Sequence, residues 1–135
     1  EPSLWESVES YHHSRTFTLY MVGAKMGPDH REEYFARALE LDSAYGVLYF
    51  NIGCVFRDEG DIARAEELYR AGIDVDPAAT KNWLALAQML GANRRFDEVV
   101  QLTEIGRPYF APDDESLPQF DAMAKRAKQL ARRSR

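Results

Sequence analysis

Few side chains in this sequence stand at spacings that support chemistry, and those that come nearest fail on geometry. His12 and His13 are adjacent, so on a helix they point about 100° apart, whereas imidazoles sharing a metal ion from one helix sit four residues apart. Both read as polar surface or helix-end residues, and His30 as part of a turn. Cys54 has no histidine near it in sequence to make a thiolate. Asp113, Asp114 and Glu115 form an acidic run, but a loop that wraps calcium alternates its ligands as D-x-D-x-D-G. Gly23 and Gly27 are not followed by the lysine of a phosphate loop. The expectation is no catalytic constellation, no metal, no cofactor and no enzyme.

The elements that position these residues are helices. Leu4, Val8, Tyr11, Thr18 and Val22 recur at helical spacing, with Trp5 and Leu19 beside them, and predict one long first helix ending between Gly23 and Gly27. Gly27-Pro28 stops it, and Asp29 with Glu32 resembles a capping box opening a second helix that runs to about Leu41. Asp42-Ser43 is expected to open a third helix ending near Glu59-Gly60, with Asp61 capping a fourth. Asp76-Pro77 repeats that punctuation, since proline lacks a donor the first turn would not use. A fifth helix carries Trp83 to Leu90, Gly91 to Arg95 turns, and a sixth runs from Phe96 to about Gly106. Arg107 to Ser116 reads as an irregular linker, and Ser116 with Gln119 as another capping box. Beyond it Leu117, Phe120, Met123, Ala124, Ala127, Leu130 and Ala131 share one face, opposite the basic side chains. No stretch alternates with period two, so no sheet is expected.

Within this series the stretch from Gly46 to Pro77 carries a pattern: Tyr49, Ile52, Gly53, Phe56, then Gly60, Ala65, Tyr69, Gly72 and Pro77. Two short helices approach closely only where side chains are small, here Gly53, Ala65 and Gly72, while Tyr49, Ile52, Phe56 and Tyr69 fill the space between. The spacing follows W-x2-L-G-x2-Y, then A-x3-F, then P, and so resembles the tetratricopeptide repeat of 34 residues. Shifting by one period aligns Trp83, Leu86, Ala87 and Leu90 well. The second helix of that copy is degraded, with Thr103 in place of the aromatic and proline one residue late at Pro112. Shifting back aligns Phe35, Ala38 and Asp42. The resemblance covers about Tyr34 to Pro112. It implies an all-α, right-handed helical solenoid of about three helix-turn-helix repeats plus a C-terminal capping helix. The expected division is a divergent first repeat at 1–42, a central repeat at 43–77, a last repeat at 78–112 and a cap at 115–133.

With 135 residues, 45% hydrophobic and 12% aromatic, the chain is one domain able to bury a core. No apolar run approaches the roughly 18 residues of a spanning helix, so no membrane insertion is expected. The first residue is not Met, which suggests a piece of a longer chain. One cysteine fits a reducing compartment, and cytoplasm is the expected location. Residues 125 to 135 hold six basic side chains and no acid, +6, leaving 11 basic against 22 acidic residues, or −11, for residues 1 to 124. An acidic body repels phosphate backbones, so nucleic acid is not expected as a ligand.

In tetratricopeptide arrays the first helix of each repeat lines a concave groove that accepts a peptide or a partner helix. Carried onto this sequence, the resemblance makes Val47, Phe50, Asn51, Cys54, Arg57 and Asp58 groove-facing, with Lys81, Leu84, Ala85 and Gln88 from the next repeat. The first copy would add His13, Thr16, Phe17 and Tyr20. Some members hold C-terminal carboxylates through a five-residue clamp. Asn51 and Lys81 match it, but Thr16, Tyr20 and Ala85 replace the needed Lys, Asn and Arg, so a chaperone-tail receptor is not expected. The expected function is a protein-interaction module, an adaptor or scaffold, with partner-binding residues Phe17, Tyr20, Phe50, Asn51, Arg57, Lys81, Leu84 and Gln88. The alternative is a regulatory or self-associating assembly segment of a larger enzyme or secretion machine.

Overall fold

Gly, Pro and Asp punctuation divides the chain into helices joined by short turns. The computed structural model describes residues 3–134, without the side chains of Trp5, Glu6, Val8, Glu9 and His12, so the expectations placed on Trp5, Val8 and His12 lie outside the described residues. The helices are α1 (Leu4–Lys25), α2 (Pro28–Leu41), α3 (Gly46–Asp58), α4 (Ile62–Val75), α5 (Thr80–Ala92), α6 (Phe96–Gly106) and α7 (Leu117–Arg133), with a 3-10 turn at Arg107–Tyr109. Among the described residues there is no strand. Consecutive helices pair, α1 with α2, α3 with α4 and α5 with α6. The pairs stack through α1 on α3, α4 on α5 and α3 on α5, and α7 closes over α6 and α5. The chain is an all-α helical-repeat solenoid.

The 34-residue period survives in the backbone and in the side chains. Asp42 and Asp76 end α2 and α4 with the same pair of bonds, Asp42 N–H to Ala38 and Tyr45 N–H to Asp42 in one, Asp76 N–H to Gly72 and Ala79 N–H to Asp76 in the other. Gly60 and Arg94 take the left-handed turn conformation at φ 86° and 60°, followed by Asp61 N–H to Phe56 and Arg95 N–H to Leu90, both 2.9 Å. Only glycine adopts that conformation freely. Tyr49 Oη donates to the Ser43 carbonyl at 2.8 Å, and one period later Trp83 Nε1 donates to the Pro77 carbonyl at 2.8 Å.

The core runs along the inside of the stack, with Phe35, Ile52, Tyr69, Leu86, Leu90 and Phe120 buried. Burial of such side chains, each worth about 1.5–3 kcal/mol, holds helices too short to persist alone. Gly53 admits the ring of Tyr69, and Gly106 that of Trp83. Gly72, expected to serve the α3–α4 contact, instead faces the next pair, where Asn82 of α5 occupies the space. Thr103, at the degraded position of α6, is buried and returns its hydroxyl to the Val99 carbonyl at 2.8 Å. On α7 the apolar face buries Phe120, Ala127 and Ala131, and Phe120 stacks on Phe110 at 4.3 Å.

Several helix ends differ from expectation. α3 begins at Gly46 and not at Asp42-Ser43, because Asp42 finishes α2. Pro77 stands in the turn before α5, which starts at Thr80, and α5 continues through Gly91 to Ala92. Gly27, not Asp29, is the N-cap of α2, with Pro28 in its first turn, so His30 is helical. Ser116 makes no side-chain cap for α7; the Asp114 carboxylate accepts the Ser116 N–H at 2.8 Å instead. Asp61 does cap α4, accepting the Arg64 N–H at 3.2 Å.

Candidate functional site

The face of interest is built from α1, α3 and α5, the first helices of the three pairs. Between α1 and α3 lies an open pocket of about 560 Å³ lined by Ser10, His13, Ser14, Thr16 and Phe17 of α1, Leu48 and Asn51 of α3, and Tyr45 just before it. Helical spacing explains the set, since residues 10, 13, 14 and 17 share one side of α1. His13 Nδ1 lies 2.5 Å from Asp42 Oδ2, and its ring stacks on Tyr45 at 4.2 Å. Phe17 is 56% exposed, an unusual position for a large apolar ring. None of the hydrogen bonds among the described residues engages the Asn51 carboxamide.

The other expected site residues are distributed along the same three helices. Tyr20 is half-buried, 6.1 Å from the Phe17 ring and stacked on Phe35 at 6.0 Å. Burial raises its phenol pKa above the ordinary value, and the neighbouring Cys54 and Asp58 add to the rise. Phe50 is half-buried between Tyr69, 6.2 Å away, and the Lys81 ammonium, 5.6 Å from its centroid. Lys81 thus meets an aromatic face across the α3–α5 junction. Leu84 packs on the core, and Gln88 is exposed at a separate cavity beside α7.

The structure therefore joins Phe17 with Asn51, and Phe50 with Lys81. It does not bring Gln88 to the α1–α3 pocket. Arg57 is committed to Asp58, with Nε and Nη2 donating to Oδ1 at 3.2 and 3.1 Å. Thr16 and Ala85, expected to face the groove, are 0% and 4% exposed, because both are small enough for neighbouring helices to close over them. Cys54 accepts a hydrogen bond from the Tyr69 hydroxyl at 3.4 Å, and burial raises the Tyr69 pKa, with that bond adding to it.

Among the described residues no group of three His, Cys, Asp or Glu side chains is placed to hold a metal ion. No helix of the described residues is long and apolar enough to cross a membrane. Two features of the site were missed in the sequence: Tyr45 with the His13–Asp42 pair, and Arg31. Arg31 is buried; its Nε and Nη2 donate to the Gly23 and Met26 carbonyls at 3.3 and 2.9 Å, and its Nη1 pairs with Glu59. It fixes the C-terminus of α1 against the end of α3. An arginine one turn after a proline stop was the only signal.

A family model, the tetratricopeptide repeat, matches residues 47–78, which are α3, α4 and the turn after them. That stretch, α3 with α4, is similar to one tetratricopeptide repeat. A search of curated proteins finds no match to it. The matched residues include Phe50, Asn51 and Arg57. The tetratricopeptide repeat is a non-catalytic fold that serves protein interaction.

Proposed function

We propose that the face formed by α1, α3 and α5 binds a segment of a partner protein, so that the domain acts as an adaptor or scaffold. The observation that carries this reading is the α1–α3 pocket, in which the exposed Phe17 ring stands beside Asn51. Phe17 supplies apolar contact. Asn51 can donate to and accept from a peptide backbone, and so holds an extended chain without reading its sequence. Lys81, over Phe50, offers a charge further along. Within this reading the repeats divide at 1–42, 43–77 and 78–112, with a cap at 115–133. Recovery of partners from cell extract by the wild type and by Asn51→Ala/Lys81→Glu tests it. Equal recovery by both would move the binding surface elsewhere.

A second reading is a self-associating assembly segment of a larger enzyme or secretion machine. It is favoured by Leu4 and Tyr11, seven residues apart on one side of α1 and 82% and 63% exposed. Sedimentation at rising concentration separates the two, since a partner-binding module stays monomeric.

A further inference from the structure

Before α7, six of the nine arginines are paired with acids: Arg31 with Glu59, Arg57 with Asp58, Arg64 with Glu32 and Glu67, Arg70 with Glu66, Arg95 with Glu66 and Glu98, Arg107 with Asp121; among the described residues Arg15, Arg37 and Arg94 are not. On α7 the pattern is different. Lys125, Arg126, Lys128, Arg132 and Arg133 are all exposed, and none has an ion-pair partner among the described residues. The apolar face of the same helix is buried on α5 and α6, which leaves it nothing to insert into a lipid surface.

Beside this helix a cavity of about 140 Å³ opens between α5, α6 and α7. Its interior is apolar, with Phe96, Val99, Met123 and Leu130 among its walls, and the exposed Gln88 and Arg126 stand at its mouth. Arg133 follows Arg126 by seven residues and so lies on the same side of α7. A polyphosphate could use the cations but not the cavity, and the body of net −11 opposes it. An apolar cavity with an unneutralised guanidinium at its mouth matches one combined chemistry, an aliphatic group beside a carboxylate.

We propose that this cavity takes an aliphatic side chain of a partner protein segment while Arg126 and Arg133 hold Asp or Glu side chains next to it. Gln88 meets the segment's backbone. The inference rests on the reading above only in taking the ligand to be a protein segment, and it gives that segment a direction, with its acidic part at α7.

The test is nuclear magnetic resonance titration of the full chain, labelled at methionine methyls and amides, with the peptide acetyl-Gly-Leu-Asp-Glu-Gly-amide and its Asn-Gln counterpart. The expected result is a saturable shift of the Met123 methyl and the Gln88 side-chain amide by the acidic peptide. Binding should be at least about fivefold weaker for the neutral peptide and equally weakened by Arg126→Gln, a change at an exposed position. Equal affinity for the two peptides, unchanged binding by the variant, or no shift up to millimolar peptide would each overturn the proposal. So would a single-stranded DNA that binds through Lys128 and Arg132 and leaves Met123 unmoved. Failure here, with Asn51 and Lys81 still needed for partner recovery, removes this site and leaves the α1–α3–α5 reading standing; failure of both removes both.

Discussion

Gly53 on α3 and Tyr69 on α4 interlock so closely that a Cβ at residue 53 would stand 2.6 Å from Tyr69 Cε1. Tyr69 is 0% exposed and donates its hydroxyl to Cys54, so the ring has no room to retreat. Gly53→Leu is therefore expected to destabilise the domain by about 1–3 kcal/mol through overpacking, measured by urea denaturation. A midpoint equal to the wild type's would mean that the two helices are not packed through this contact.

Asn82 joins the second pair to the third. It is 0% exposed, lies against Gly72 and donates Nδ2 to the Gly46 carbonyl at 2.9 Å. Asn82→Ala removes this side-chain bond, leaving the Gly46 carbonyl only its helical one, and is expected to cost about 0.5–1.5 kcal/mol. Loss of α3 amide protection in hydrogen exchange, first in its opening turn, where the Leu48 N–H donates to the Tyr45 carbonyl, is the accompanying sign.

Acid sensitivity should centre on Arg95, which bridges α4 and α6 by pairing with Glu66 and Glu98. Hydrogen bonds from Arg95 hold both carboxyl groups below the ordinary value of 4.5. Groups whose pKa is lower folded than unfolded stabilise fully above the unfolded value, and that contribution is lost as pH falls through the folded values. Arg95→Met is thus expected to be less stable than the wild type at pH 7, with the gap closing below pH 4.5. Thermal melts across pH 7 to 3 measure it; a constant gap would contradict the assignment.

Asp61 caps α4 with its side chain, accepting the Arg64 N–H. Asp61→Ala should cost about 1 kcal/mol, while Ser116→Ala, where the side chain makes no cap, should stay within about 0.5 kcal/mol. Equal losses in paired denaturation curves would show that the two helix starts are capped alike.

The helix series was legible in the sequence because glycine, proline and aspartate mark its breaks, and because Tyr49 and Trp83 hold equivalent places in a pattern of fixed length. Helix starts were less so. Asp42 and Asp76 are equally good at ending one helix and opening the next, and only the backbone bonds from Asp42 to Ala38 and from Asp76 to Gly72 decide. For the site, the resemblance supplied an expected face for each helix but not the burial of Thr16 and Ala85 or the fate of the charges. Arg57 is taken by its neighbour Asp58, and Lys81 settles on Phe50, outcomes set by rotamers that spacing does not encode. Arg126 is not singled out by the sequence because the basic side chains of α7 fall together opposite its apolar face.

The central claim is that a partner segment lies along α1, α3 and α5, and site-directed photo-cross-linking tests it most directly. A benzophenone amino acid is placed at Phe17, and in a control at Glu67 on the exposed side of α4, and cells expressing each form are irradiated. The account predicts a cross-linked partner from position 17, absent from position 67, and lost when Asn51→Ala/Lys81→Glu is added. Cross-links of equal yield from position 67, or from position 17 regardless of Asn51 and Lys81, would contradict it.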